Sequence, residues 1–334
     1  MSESGIKCDI DRTEVMWITG GESRESLGVL EESVRARRRQ SCWIAVAAMS
    51  LLVVFLTSVF AAPRVETRAG PQSAEQGADR RQLWLLPSPQ PGVLMRATLF
   101  RPPGSGPFPL AVINHGTTQN AERRNALPLP RFETLTRWFL RRGYAVVVPE
   151  RPGHGETRGT YAEDQGDCDD ADFARAGLGA AASIAAAVAY LTAQPFVRRT
   201  GAVVVGQSAG GWGVLALSSH ALAPVRAVIS FAGGLGGRSY DRADNNCAPD
   251  RLIAAAAQFG RTSRIPTLWI YTENDSYFAP RLSKAMADAF RAAGGQADYV
   301  LLAPFGAEGH LLAETDATEG VWGPVVERFL GKLR

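Results

Sequence analysis

The chain has 334 residues, of which 46% are hydrophobic and 21% are charged, and these values are typical of a globular protein that buries a hydrophobic core. Its formal net charge is only +3, from 36 basic and 33 acidic residues. Because no dense basic run follows residue 40, the sequence argues against nucleic acid as a partner.

The N-terminal region has the features of an export signal. Four arginines lie just before residues 43–60, which form an apolar stretch without a charge, and small side chains match a signal-peptidase site after Ala61. The same stretch is long enough to remain as a membrane anchor. We therefore expect a cytoplasmic tail or n-region at 1–40, a signal peptide or anchor at 41–62, and a periplasmic or secreted protein. Contact with the membrane would be confined to residues 43–60.

Strand and helix patterns alternate after a predicted linker at 63–82, which is polar and rich in proline and glycine. The predicted strands are 93–100, 110–114, 144–148, 202–205, 225–231, 267–271 and 297–302. The predicted helices are 132–142, 171–193, 210–219, 249–259, 279–293 and 321–330. Continuous apolar strands that alternate with amphipathic helices indicate a mostly parallel sheet with helices on both faces.

This pattern predicts a single α/β catalytic domain over 83–334. The segment 232–266 between two predicted strands is filled largely by one helix, so we expect no large cap over the sheet. Cys168 and Cys247 are the two cysteines beyond the targeting segment. An even number of cysteines outside the cytoplasm indicates one disulfide, although two unrelated buried thiols would give the same count.

Residues 206–210 read Gly-Gln-Ser-Ala-Gly and lie directly between a predicted strand and a predicted helix. In that setting the motif forms a tight turn that exposes the serine above the sheet, because its neighbours are small. The pattern therefore predicts Ser208 as a nucleophile. A glycine-rich turn without a chemical role is the alternative.

A serine nucleophile needs a histidine base and an orienting acid. Of the four histidines, His310 alone fits the chain order of serine, acid, histidine with a position after a late strand. Two carboxylates follow the strand 267–271, and Asp275 is preferred over Glu273 because its turn can aim a short side chain.

The remaining site residues are predicted from their positions beside the motifs: Ala209 follows the nucleophile, and Thr117 lies in the loop after the strand 110–114. The backbone N–H groups of Ala209 and Thr117 are predicted to form the oxyanion hole. Four aromatic residues lie beside the motifs and are candidates for the substrate pocket, although each is equally consistent with the core: Trp212, Tyr277, Phe278 and Phe305.

Taken together, the motifs at 114–116, 206–213, 273–278 and 306–310 resemble the dienelactone hydrolase-like branch of the α/β-hydrolase superfamily. The resemblance covers residues 83 to 332 and implies an eight-stranded sheet and a serine hydrolase. Dienelactone hydrolases proper use a cysteine nucleophile, whereas this chain has Ser208 at that position.

We therefore expect an esterase with a Ser208–His310–Asp275 triad that acts on small-molecule esters through an acyl-enzyme. No cofactor and no metal ion are expected to take part. Two alternatives remain open: a serine peptidase of the prolyl-oligopeptidase type, and a catalytically silent binding protein with the same fold.

Overall fold

The computed structural model describes residues 68–220, 222 and 224–333. The predicted tail at 1–40, the signal peptide or anchor at 41–62 and the start of the predicted linker lie outside these residues.

The described residues form one sheet of nine strands. The strands are β1 (Gly70–Pro71), β2 (Gln82–Pro87), β3 (Leu94–Phe100), β4 (Leu110–Asn114), β5 (Ala145–Pro149), β6 (Ala202–Gln207), β7 (Val225–Phe231), β8 (Thr267–Thr272) and β9 (Ala297–Leu302). Their order in the sheet is β1-β2-β3-β5-β4-β6-β7-β8-β9. Strands β4 to β9 are parallel, whereas β1, β2 and β3 add an antiparallel edge.

Seven α-helices lie in the described part of the chain. They are α1 (Ala121–Asn125), α2 (Glu133–Leu140), α3 (Phe173–Thr192), α4 (Ala209–Ser218), α5 (Pro249–Thr262), α6 (Pro280–Ala292) and α7 (Glu319–Gly331). This arrangement confirms the predicted α/β fold with a mostly parallel sheet.

Helices cover both faces of the sheet, which explains the continuous apolar strands. Every residue of β4, β5, β6 and β8 is buried. One hydrophobic cluster lies between the sheet and helices α3, α4, α5 and α6, and the other lies between the opposite face and helices α2 and α7. Helix α3 is apolar and long enough to cross a membrane, but most of its buried side chains belong to the first cluster.

The structure differs from the predicted elements mainly at the N-terminal edge. Strand β2 and helix α1 were not predicted, and β1 adds a ninth strand to the expected eight. Leucines dominate β2, and leucine favours a strand no more than a helix, so periodicity alone gave no signal there. Residues of β1 fall within the predicted linker, yet Gly70 and Pro71 pair with Leu85 and Trp84 of β2.

The structure contains the Cys168–Cys247 disulfide, with the two Cα atoms 5.0 Å apart. This separation lies within the range of about 7 Å that a disulfide requires. Cys247 is buried in the first hydrophobic cluster and Cys168 packs against that cluster. The bond joins the loop after β5 to the loop after β7, so the reading of two unrelated thiols does not apply.

Candidate active site

Ser208 occupies the tight turn between β6 and α4. Its φ of +53° lies in the left-handed region, which a residue with a side chain adopts only when its surroundings impose it. A Cβ atom added at Gly206 would lie 2.2 Å from the Gly210 carbonyl oxygen, and one added at Gly210 would lie 2.4 Å from the Asn114 carbonyl oxygen. Glycine is therefore required on both sides of the serine, as the motif predicted.

Asp275 and His310 lie side by side on the loops after β8 and β9. The His310 Nδ1 atom is 3.2 Å and 3.3 Å from the two carboxylate oxygens of Asp275. The same carboxylate accepts hydrogen bonds from the backbone N–H groups of Tyr277 and Phe278 at 2.9 and 3.0 Å. With Nδ1 donating to the carboxylate, Nε2 is the ring atom left to accept a proton. Glu273, the other carboxylate considered, is exposed.

Glu308 ties the His310 turn to the Asp275 loop, a role that the sequence did not reveal. Its carboxylate accepts hydrogen bonds from the backbone N–H groups of Ser276 and His310 and from the Ser276 hydroxyl. Burial disfavours the charged form, but these hydrogen bonds outweigh it and lower the pKa of Glu308. The ring of Tyr277 stacks on His310 with centroids 4.1 Å apart, which further restricts the imidazole.

A cavity of about 650 Å³ joins the predicted residues. Its lining includes Ser208, His310, Thr117 and Tyr277. Residues 127–130 and Phe132 form an apolar wall that was not predicted from the sequence. Leucines that alternate with prolines, just after the oxyanion loop, were the available signal, because such a segment can form neither a helix nor a central strand.

The loop after β4 passes directly over the nucleophile. A Cβ atom added at Gly116 would lie 3.2 Å from the Ser208 Cβ atom and 2.7 Å from the Gln207 Oε1 atom. Thr117 follows at the cavity wall, and Ala209 begins helix α4 on the other side of Ser208. Strands β4 and β6 lie next to each other where the strand order reverses, which is where parallel α/β sheets place their ligands.

Three of the four predicted pocket aromatics do not line this cavity. Trp212 points into the core, where its Nε1 donates to the Phe173 carbonyl oxygen at 2.8 Å. Phe278 is buried with its ring centroid 5.6 Å from that of His310, and Phe305 packs against the cluster under α2 and α7. Of the four predicted aromatics, only Tyr277 lines the cavity. The other three predictions were wrong because proximity to a motif in sequence does not determine the direction of a side chain.

Two further histidines, His115 and His154, are buried in the wall of the cavity, and both contact Arg151, which forms a buried ion pair with Glu163. Burial lowers the pKa of His154 to about 4, and the nearby Glu163 offsets this only in part. Burial, followed by the Arg151 charge, lowers the pKa of His115 well below its ordinary value. Burial alone would raise the pKa of Glu163, but Arg151 outweighs it and lowers that pKa.

These shifts predict that the fold loses stability in mild acid. In the unfolded chain a histidine takes up its proton near pH 6.5, whereas folded His154 does so only near 4, so stability is complete above about pH 6.5 and falls towards pH 4. From about pH 7.5 to about pH 5, His154 should account for a loss of roughly 2 kcal/mol in the free energy of unfolding. The lowered pKa of His115 also reduces stability as the pH falls. The lowered pKa of Glu163 reduces stability further, at a pH below the ordinary pKa of a glutamate.

Urea unfolding at the two pH values measures this loss. In His154→Gln the loss of unfolding free energy between the two pH values should be smaller than in the wild type by most of the roughly 2 kcal/mol assigned to His154. In His220→Gln, at an exposed histidine, the loss should equal that of the wild type. Equal pH dependence in the wild type and in His154→Gln would contradict the assignment.

In the described part of the chain, no group of three or more His, Cys, Asp and Glu side chains is arranged to hold a metal ion.

Solved structures with the same architecture include esterases and a peptidase. The Pyrococcus furiosus esterase Pf2001 matches with a TM-score of 0.53 and 12% identity, covering 80% of this chain and 99% of that chain. Est1E from Butyrivibrio proteoclasticus, solved with ferulic acid bound, matches with a TM-score of 0.51 and 17% identity over 75% and 98% of the two chains. The acylaminoacyl peptidase of Pyrococcus horikoshii matches with a TM-score of 0.53 and 15% identity, covering 78% of this chain but 42% of that chain.

At these identities the likeness shows the α/β-hydrolase fold alone. A search of curated protein sequences gave no match. The model of the dienelactone hydrolase family matches residues 96–319, which is more than half of the chain and includes all the motifs described above. The chain therefore belongs to the dienelactone hydrolase family.

Proposed function

We propose that the protein is a serine hydrolase that cleaves carboxylic esters through an acyl-enzyme on Ser208. One observation carries the proposal: Ser208, on its strained turn, and His310 line the same cavity, and His310 is paired with the buried Asp275. Membership of a hydrolase family and esterase neighbours of the same fold support it.

In the proposed mechanism the three side chains act together. His310 Nε2 takes the proton of the Ser208 hydroxyl as the oxygen attacks the ester carbonyl carbon, and Asp275 stabilises the imidazolium that forms. The N–H groups of Ala209 and Thr117 stabilise the negative charge on the carbonyl oxygen. The tetrahedral intermediate collapses, and His310 gives its proton to the leaving alcohol. Water then attacks the acyl-enzyme by the same route and releases the acid.

The cavity favours small esters or the ends of larger molecules. Its apolar wall at 127–130 and 132 suits an uncharged acyl or alcohol group, and the exposed residues Leu311 and Arg131 place its mouth at the surface. We further propose that the enzyme works in the periplasm or outside the cell, directed there by the segment 41–62. The disulfide supports this location, because such bonds persist in oxidising compartments.

A panel of p-nitrophenyl esters, tested beside aminoacyl p-nitroanilides, separates this function from its alternatives. We expect turnover of short-chain esters, weak or no cleavage of the anilides, and loss of the ester turnover in Ser208→Ala. Faster cleavage of the anilides would favour a peptidase, and no turnover of either series would favour a binding protein.

A further inference from the structure

The loop after β4 and the loop after β5 are joined by two histidines, one from each loop, and each histidine forms a hydrogen bond to the opposite loop. His115, on the first loop, accepts a hydrogen bond at Nε2 from the backbone N–H of Arg151 at 3.1 Å. His154, on the second loop, lies with its Nε2 atom 2.6 Å from the Thr117 hydroxyl oxygen on the first. The two imidazole rings pack edge to face with centroids 4.7 Å apart. The pair therefore fastens the segment that carries Thr117 to its neighbour.

The contacts of His154 Nδ1 determine which group donates in the hydrogen bond between His154 Nε2 and the Thr117 hydroxyl. Nδ1 lies 3.2 Å from the carbonyl oxygens of Arg151 and Pro152, which can only accept hydrogen bonds, so Nδ1 carries the proton. Because burial lowers the pKa of His154, the ring is neutral at neutral pH and Nε2 is an acceptor. The Thr117 hydroxyl must therefore donate to His154.

The loop after β5 is a rigid support for this contact. Gly153 and Gly155 have φ angles of +78° and +49°, and a Cβ atom added at Gly153 would lie 2.7 Å from the Tyr161 Cα atom. The buried Arg151–Glu163 ion pair fixes the start of the loop. Tyr161 packs its ring against His154 with centroids 5.4 Å apart, and its hydroxyl also interacts with Thr117.

We infer that His154 is a positioning residue that holds the Thr117 backbone N–H where it stabilises the oxyanion. This inference rests on the proposed function. An oxyanion donor must lie about 2.7 to 3.1 Å from the developing charge, and a displacement of about 1 Å can cost on the order of 100-fold in rate. Thr117 lies one residue beyond Gly116, where an added Cβ atom would lie 3.7 Å from the Ser208 hydroxyl oxygen, so the bond to His154 acts close to the reacting atoms.

Thr117→Val tests the contact with almost no change of side-chain volume, because valine replaces the hydroxyl by a methyl group. We expect kcat to fall roughly 10- to 100-fold with KM within about twofold, because an oxyanion donor acts on the transition state rather than on the bound substrate. His154→Leu should give a similar loss, the double variant should be scarcely worse than either single variant, and His154→Gln, which retains an acceptor, should recover most of the activity.

The affinity for phenylboronic acid, which forms a tetrahedral adduct with a reactive serine, gives a readout that a purely structural role would not move. It should weaken by the same factor as kcat/KM falls in Thr117→Val and His154→Leu. His220→Gln, at an exposed histidine just beyond the C-terminal end of α4, should match the wild type in all these assays. Unfolding in urea establishes that each variant is folded, and Thr117→Val carries the test if His154→Leu does not fold.

Wild-type kcat in folded Thr117→Val would overturn the inference, as would a loss that appears in KM alone. Either result leaves the proposed function intact as long as Ser208→Ala is inactive. Ester turnover that persists in Ser208→Ala would instead reject the proposed function itself.

Discussion

Replacing Ser208 or His310 with alanine is expected to lower kcat for ester hydrolysis on the order of 10⁶-fold with the fold intact. The serine supplies the atom that is acylated, and without the imidazole its hydroxyl has no base. Since the two groups act as a unit, the double variant should be scarcely slower than either single variant. Steady-state kinetics on a p-nitrophenyl ester, with unfolding curves for each variant, measures the effect.

Ser230→Ala is a suitable control for the serine substitution. Ser230 is fully buried in β7, next to the nucleophile strand, and its hydroxyl is without a hydrogen-bond partner among the described residues. Its loss should leave kcat within a few fold of the wild type. Near-normal turnover in Ser208→Ala, or strict additivity of the two losses, would reject the triad.

Asp275→Asn is expected to lower kcat on the order of 10⁴-fold while KM changes little. The NH₂ group of an amide can donate a hydrogen bond to Nδ1 of His310, which favours the tautomer whose Nε2 carries hydrogen and cannot accept the serine proton. The carboxylate also accepts two backbone hydrogen bonds, so the substituted amide must turn its oxygen towards them and its NH₂ group towards the ring.

Glu273→Gln makes the same chemical change two residues away and is the matched control. Because Glu273 is exposed, its substitution should leave kcat unchanged. If Glu273→Gln were the more damaging of the two, the choice of acid would be wrong.

Much of this arrangement could be predicted because it depends on local constraints. The small residues around Ser208 are required by a turn in which backbone atoms approach within 2.4 Å of an added Cβ atom. Valine-rich runs such as β5 and β6 are required by burial on both faces of a parallel sheet. Such constraints restrict the residue types and their spacing, so they can be recognised in the sequence.

The contacts that complete the site depend instead on how distant segments meet. Nothing in the spacing of Trp212 distinguishes a side chain that points into the core from one that lines a cavity. The apolar wall at 127–130 and 132 lines the same cavity as Ser208 because the loop after β4 passes over the turn between β6 and α4. The bonds of Glu308 to the Asp275 loop, and of His154 to Thr117, likewise join segments that are more than 30 residues apart.

The disulfide between Cys168 and Cys247 also makes the chain a closed ring with two tails. The bond spans a sequence separation of 79 residues, and the ring contains Ser208, whereas Asp275 and His310 lie in the C-terminal tail. Pulled taut from both ends, the oxidised chain would be shorter than the reduced one by about 270 Å, at roughly 3.4 Å for each residue. Where the disulfide closes the ring, two segments of the chain would have to pass side by side through any narrow pore. A chain that crosses a membrane as a single unfolded thread must therefore do so before this bond forms.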